Sequence, residues 1–244
     1  VNHSPYQVAI FNAIKEAGPR FALIIEAVAG SGKTTTIVKA LELTSGSVLF
    51  GAFNKHIATE LQARVPSHVT ASTLNSIGWQ ICKQAFPKAR LDADKTSKIL
   101  KNVLEHSGHS PAQVRSFFQI KNQVSRIVGL AKALCLRKPS YDEVTKLMDA
   151  HDLTLNGAWS LSDFVAFVQK VYFHCIDETS VLDFDDQIFM PWLYELPARK
   201  YDWFFGDEAQ DFTFAQIALV VKLSDRIVCV GDSRQAIYGF RGAA

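Results

Sequence analysis

Residues 21–28, FALIIEAV, form a nearly continuous apolar run, and the next six, Ala29-Gly30-Ser31-Gly32-Lys33-Thr34, lead into a helical pattern. The run reads as a strand buried on both faces. A strand, a glycine-rich loop and a helix in that order form a phosphate-binding loop. Gly30 and Gly32 permit backbone conformations and close approaches that a side chain would obstruct. Successive N–H groups and the helix N-terminus then surround an anionic phosphate. In this pattern Ala29, Gly30, Ser31 and Gly32 line the loop, Lys33 reaches the β- and γ-phosphates, and the Thr34 hydroxyl holds Mg²⁺. The general pattern asks for glycine at position 27, where this chain has Ala27. A glycine-rich turn without a ligand is the plain structural alternative. The agreement of strand, loop, Lys-Thr and helix favours the phosphate site.

A loop of this kind belongs to a parallel α/β sheet, and the flanking sequence agrees. Ser4-Pro5 reads as an N-cap and first helical residue of a helix running to about Ala17. Residues 47–53 and 68–72 read as further strands separated by helical patterns, which implies βαβ units. From about 87 to 180 strand signals almost vanish. Val114, Phe117, Ile120, Val124, Ile127, Ala131 and Leu134 recur at helical spacing. Strand signals return at 201–206 and 226–231. The expected organisation is an α/β domain in two parts, 1–86 and 181–244, interrupted by a helical insertion at 87–180.

Bulk properties exclude little. Apolar residues make up 48% and charged residues 20%, with net charge +2, as in an ordinary globular protein. The average hides an imbalance: residues 83–138 hold twelve Lys or Arg against three acids. Scattered lysines usually mark a solvated face, but so local an excess favours a phosphate-contacting surface. The four cysteines form no C-x-x-C pair, which argues against zinc and fits a reducing compartment. His106 and His109 lack an evident third ligand and read as a polar helix end. No secretory pattern or membrane-length apolar run is present, so a cytoplasmic protein with no membrane partner is expected.

Two further segments carry chemistry. Asp207-Glu208 ends the apolar run 203–206. Asp207 is placed to hold Mg²⁺ and Glu208 to polarise an attacking water. An acidic cap on the next helix explains Asp211 but not two acids ending a strand. After 226–231, Gln235 is suited to a γ-phosphate or its water. Tyr238 and Phe240 offer rings to unstacked bases, and Arg241 a charge for a phosphate or for linking two sites. Core packing for the rings and a surface ion pair for Arg241 are the alternatives.

In order, the chain reads "SPYQVAIFNAI", "AVAGSGKTTT", "FNKHIATEL", "ASTLNSIGWQI", "DFDDQI", "GDEAQDF" and "VGDSRQAIYGFRGA". This series resembles the Q motif and motifs I, Ia, Ib, II and III of UvrD/Rep-type superfamily 1 DNA helicases, and it extends over the whole chain. The resemblance implies a RecA-like first domain with the helical segment at the position of the family's 1B insertion. It implies ATP and Mg²⁺ as cofactors and 3′ to 5′ movement along single-stranded or partly duplex DNA. Gln7 then corresponds to the adenine-reading glutamine, and Thr35 stands where relatives often carry an arginine stacked on adenine. Lys33, Asp207, Glu208 and Gln235 are the expected catalytic set, with Gln210 coupling nucleotide state to DNA. Asn54, Thr73 and Asn75 are the expected DNA contacts of motifs Ia and Ib, joined by Tyr238, Phe240 and Arg241. Motif Ia usually reads Phe-Thr-Asn-Lys. Here Ala52-Phe53-Asn54-Lys55 moves the aromatic by one place and leaves Phe53 outside the expected contacts.

The resemblance also places the family's second RecA-like domain, with its arginine fingers, after the last motif seen here. Residues 1–244 are therefore expected to be the ATP-binding half of a monomeric helicase and inactive as a motor alone. A P-loop kinase acting on a small molecule, or a non-enzymatic nucleotide- or DNA-binding module, are the competing readings. The kinase reading leaves 235–243 and the basic insertion without a task.

Overall fold

The computed structural model describes residues 3–28, 32–155, 158–232 and 234, with the Thr34 side chain left out. Its centre is a five-stranded parallel sheet in the order β1-β7-β6-β2-β3. The strands are β1 (Phe21–Glu26), β2 (Val48–Ala52), β3 (Val69–Thr73), β6 (Trp203–Gly206) and β7 (Arg226–Gly231). One face is covered by α1 (Pro5–Lys15), α2 (Lys33–Leu41) and α3 (Lys55–Gln62), around Phe11, Ile37, Leu41, Phe50 and Phe205. The other is covered by α4 (Leu74–Ala85), α10 (Phe184–Leu193) and α11 (Phe214–Leu223), around Leu74, Ile81, Ile188, Phe204 and Leu219. The strand and helix order expected from the sequence is therefore present.

Three local expectations change. The run 21–28 is not buried on both faces. β1 alternates, with Ile24 82% exposed, because it pairs with β7 alone at the sheet edge. At the opposite edge, Gln62 seals β3: its amide accepts from Ala71 N–H at 2.7 Å and donates to Val69 O at 3.1 Å. This protects the outermost strand from stray pairing. Helix α11 is capped by Thr213 and Gln216 in a reciprocal box, so Asp211 is not its cap. α1 ends at Lys15, two residues short of Ala17.

Between the two parts of the sheet lie α5 (Lys95–His106), α6 (Pro111–Arg115), α7 (Phe117–Ala133), α8 (Tyr141–Ala150) and α9 (Leu161–Asp177). They surround a core of their own that includes Ile120, Val124, Ile127, Phe164 and Tyr172. The helical spacing 114–134 is broken at Ser116, and Val114 is exposed. The segment is not strand-free. β4 (Arg90–Leu91) pairs in parallel with β5 (Val181–Leu182) where the chain leaves and rejoins the sheet domain. Two-residue strands carry too little periodicity to be read from sequence. His109 is no polar helix end, since its ring lies 5.0 Å from both Trp159 and Phe167.

α4 and α10 meet closely at Gly78, where a Cβ would stand 1.9 Å from the Gln187 carbonyl oxygen. α10 also meets the insertion, because Phe189 belongs to the insertion core. α10 is thus shared by both bodies. All four cysteines are free thiols. Among the described residues no helix is long and apolar enough to cross a membrane, and no three His, Cys, Asp or Glu cluster as a metal cage.

Candidate nucleotide site and adjoining groove

The C-terminal ends of parallel strands gather the loops of this domain, as in other open α/β sheets. After β1, Gly32 takes φ 80°, a left-handed conformation that suits glycine, and begins α2. Lys33 is the first residue of that helix, half-buried, and its Nζ lies 3.4 Å from Glu208 Oε1 and 3.5 Å from Oε2. Glu208 follows β6 with φ 53°, a strained position for a residue with a side chain. Its backbone N–H donates to Asp207 Oδ1 at 2.9 Å. Burial raises the Asp207 pKa. The neighbouring Glu208 charge adds to this, and the Glu208 N–H and Lys33 oppose it. A carboxylate held this way gains from a cation beside it.

Gln210, in the 3₁₀ turn after Glu208, joins two strand ends. Its Nε2 donates to Glu208 Oε2 at 2.7 Å, and its Oε1 accepts from Asp232 N–H at 3.0 Å. Asp232 Oδ1 in turn accepts from Arg234 N–H at 3.1 Å. Gly231 makes room for this bridge, since a Cβ there would stand 2.5 Å from Gln210 Oε1. A continuous polar path therefore runs from Lys33 through Glu208 and Gln210 to the end of β7.

Gln7 sits in α1 and is already occupied twice. Its Oε1 accepts from Ser4 N–H in the capping box, and its Nε2 donates to Thr36 Oγ1 at 2.9 Å. Thr36 Oγ1 donates to Gly32 O at 3.1 Å, so Gln7 is tied to the loop backbone. One N–H and one lone pair of its amide remain. A cavity of about 470 Å³ opens beside it, lined by Tyr6, Gln7, Ile10, Val28, Lys33 and Thr36. Tyr6, 84% exposed, and Thr36 were not singled out from sequence. Their only signal was proximity to Gln7 and to the loop. Thr35 is exposed on α2.

A second cavity, about 410 Å³, lies on the insertion side and includes Phe53, Asn75, Arg126, Phe184, Asp211 and Gln216 in its walls. Phe53 is 44% and Phe184 54% exposed. Asn75 Nδ2 donates to Phe184 O at 2.9 Å and to Gln187 Oε1 at 3.0 Å. Asn54 and Thr73 are N-caps, accepting from Ile57 and Ser76 N–H at the starts of α3 and α4. The structure thus gives these three expected contact residues structural hydrogen bonds. Phe53, which sequence reasoning had set aside, and Phe184, which it had not considered, line this cavity. Ala29, Gly30, Ser31, Gln235, Tyr238, Phe240 and Arg241, with the Thr34 side chain, lie outside the described residues.

The basic excess of the insertion is partly internal. The side chains of Lys95 and Lys132 are only 1% exposed, in ion pairs. Lys83 donates to the Pro87 and Ala89 carbonyls, and Lys98, Lys101 and Arg137 each face an acid.

A parallel sheet carrying a lysine at a loop-to-helix junction after β1, against two acids that follow β6, the next strand but one, defines a P-loop nucleotide-binding domain. More narrowly, the chain belongs to the UvrD/REP helicase N-terminal domain family, which matches residues 9–244. It is 28% identical to F-box DNA helicase protein 1 of Schizosaccharomyces pombe, over 93% of this chain and 27% of that protein. It is 27% identical to the ATP-dependent DNA helicase PcrA of Staphylococcus epidermidis, over 91% of this chain and 32% of that protein. It is 24% identical to the ATP-dependent DNA helicase Rep of Buchnera aphidicola, over 90% of this chain and 36% of that protein. The chain spans about a third of the length of these curated relatives.

Proposed function

We propose that this chain is the ATP-binding part of an ATP-dependent DNA helicase or translocase of the cytoplasm, acting as a monomer on single-stranded DNA with 3′ to 5′ movement. The observation that carries the reading is the path Lys33–Glu208–Gln210–Asp232, which starts at the phosphate loop and ends at the strand leading into motif III. Mg²⁺ fits the site. Asp207 is a half-buried carboxylate next to a second acid, and no three-residue metal cage exists among the described residues. Mg²⁺ suits such a place because it keeps water and phosphate oxygens as most of its ligands. Asp207 and the Thr34 hydroxyl would hold it, and it would supply charge neutralisation at the phosphates.

The chain's own residues then divide the work. Lys33 exchanges Glu208 for a phosphate oxygen, and Glu208, released, orients the attacking water. Gln210 senses that exchange, because it donates to Glu208 directly, and passes it to β7 and the Gln235 segment. Gln7 uses its remaining donor and acceptor on the adenine edge, with Tyr6 beside it in the same cavity and Thr35 nearby. On the other side, the N-termini of α3 and α4, with Asn54 and Thr73, suit phosphates of a strand. Phe53 and Phe184 offer rings to its bases, with Asn75 holding Phe184. Tyr238, Phe240 and Arg241 are assigned to the same strand by the family resemblance alone. A small-molecule kinase would leave Phe53 and Phe184 idle.

ATP hydrolysis by the intact protein, measured with and without oligo-dT, tests the reading. Stimulation by the oligonucleotide, abolished by Lys33→Ala, is expected. DNA-independent turnover with phosphoryl transfer to a small acceptor would replace this reading with the kinase one.

A further inference from the structure

Four charged side chains are buried together where the insertion meets α10. Lys132 Nζ, from the end of α7, lies 2.8 Å from Asp183 Oδ2 and 2.9 Å from Asp186 Oδ1. Lys95 Nζ, from the start of α5, lies 2.7 Å from Asp186 Oδ2 and donates to Glu178 O at 2.7 Å. Thr96 Oγ1 donates to Asp183 Oδ2 at 2.9 Å. The two acids also cap α10 reciprocally: Asp183 N–H donates to Asp186 Oδ2 at 3.0 Å and Asp186 N–H to Asp183 Oδ1 at 2.9 Å. None of the four side chains exceeds 9% exposure.

A capping pair of acids normally sits in water. Here both are buried, and both compensating charges come from the insertion. Buried ion clusters seldom add stability over apolar packing of the same volume. What they impose is direction, because Lys132 must face both carboxylates while Lys95 faces one of them and the Glu178 carbonyl. Phe184 and Asp185 stand between Asp183 and Asp186 in sequence and line the groove cavity, whose wall Lys132 also reaches. Phe184 projects into the groove, and its carbonyl holds Asn75 of α4. Gly129 of α7 lets Asp185 come near, since a Cβ there would stand 3.2 Å from Asp185 Oδ2. The ring that lines the groove is therefore one residue away from a cluster whose cations belong to the insertion.

We infer that Lys132 and Lys95 are positioning residues for the nucleic-acid groove: by fixing the first turn of α10 they set the Phe184 ring and Asn75, and so tie the insertion to the gripping surface of the sheet domain. The inference rests on the helicase reading above. With side chains only 1% exposed and engaged by the acids, the lysines act through the turn.

The test uses the intact protein with oligo-dT containing 2-aminopurine, whose fluorescence reports stacking. Lys132→Met combined with Asp183→Asn removes one cation and one anion, leaves the Lys95–Asp186 pair, and keeps a capping side chain at 183. This variant is expected to bind Mg²⁺-ADP as the parent does and to keep the salt dependence of DNA binding. It should lose the stacking signal and about five- to tenfold in oligonucleotide affinity, in line with the loss of one stacked base. Adding Phe184→Ala to it should cost nothing more, because the lysine acts through that ring. If the double variant does not fold, Asp183→Asn alone carries the same expectation at smaller size. Parent-like stacking and affinity in a folded variant, with Phe184→Ala alone weakening binding, overturns this inference only. So do losses that simply multiply. Phe184→Ala without effect, or no oligonucleotide binding by the parent, overturns the groove reading and this inference with it.

Discussion

Lys33 and Glu208 satisfy each other at 3.4 Å, which makes their separate roles testable. Lys33→Ala should abolish Mg²⁺-ATP binding by titration calorimetry with little change in thermal stability, since the pair is partly exposed and such pairs contribute little. Equal affinity in the two proteins would remove Lys33 from the site. Gly231→Ala should break the Gln210 bridge, because the new Cβ would stand 2.5 Å from Gln210 Oε1. In the intact protein it should preserve ATP binding and lower DNA stimulation of hydrolysis severalfold; unchanged stimulation would mean that the bridge does not couple. Lys33, Asp207 and Glu208 were legible in the sequence because motif spacing fixes them independently of the rest of the fold. Lys95 and Lys132 were not. A lysine in a helical stretch reads by default as solvated, and only the tertiary placement of Asp183 and Asp186 reverses that. Phe53 was set aside for a one-residue shift in its motif, yet it lines the groove, since a loop can absorb such a shift without moving the ring off the surface.

Among the elements, α10 joins the sheet domain to the helical insertion, packing on α4 at Gly78 and entering the insertion core with Phe189. Gly78→Ala should lower stability by about 2–3 kcal/mol, read as a shift in urea midpoint, because the close neighbour is backbone and cannot turn aside. A midpoint within error of the parent would mean that α4 and α10 can separate at no cost. The cluster at the start of α10 also predicts a pH dependence. Burial pushes the Asp183 carboxyl up, but the Lys132 charge, with hydrogen bonds from Lys132, the Asp186 N–H and Thr96, outweighs it, so the pKa lies below the ordinary carboxylate value. A depressed carboxylate contributes stability above its unfolded pKa of about 3.9 and loses it as pH falls through the folded value. The stability gap between the parent and Asp183→Asn should therefore be widest near neutrality and close below about pH 4. A gap unchanged from pH 7 to 3 would show that the charge on Asp183 is not what stabilises the turn. The strands and helices of the sheet domain were readable because each is long enough to show its period. β4 and β5 were not, and β1 was misjudged because apolar composition does not say whether a strand lies inside a sheet or at its edge.

For the whole molecule, the central question is how much of a motor 244 residues contain. The described site places Lys33 at the start of α2 against Glu208, beside Asp207, where Mg²⁺ is proposed to sit. Phosphoryl transfer also needs positive charge on the far side of the γ-phosphate in the transition state. In the family resemblance that charge is an arginine finger from a second domain, and the relatives matched here are about three times as long as this span. Removing such a finger typically slows turnover by about 10³ to 10⁵. Movement along a strand further requires two domains that open and close on it. Residues 1–244 alone should therefore bind Mg²⁺-nucleotide weakly, hydrolyse ATP near background, and show no stimulation by single-stranded DNA. DNA binding should persist and fall with salt, at a slope of about −0.7 per phosphate contacted. The slope should be smaller than twelve basic residues would suggest, because Lys95 and Lys132 are buried and several others are paired. A longer protein with the second domain should recover stimulated hydrolysis, and Glu208→Gln in it should abolish turnover while leaving ATP binding. Brisk DNA-stimulated turnover by residues 1–244, as a monomer verified by light scattering, would mean that the missing charge is supplied from within this span.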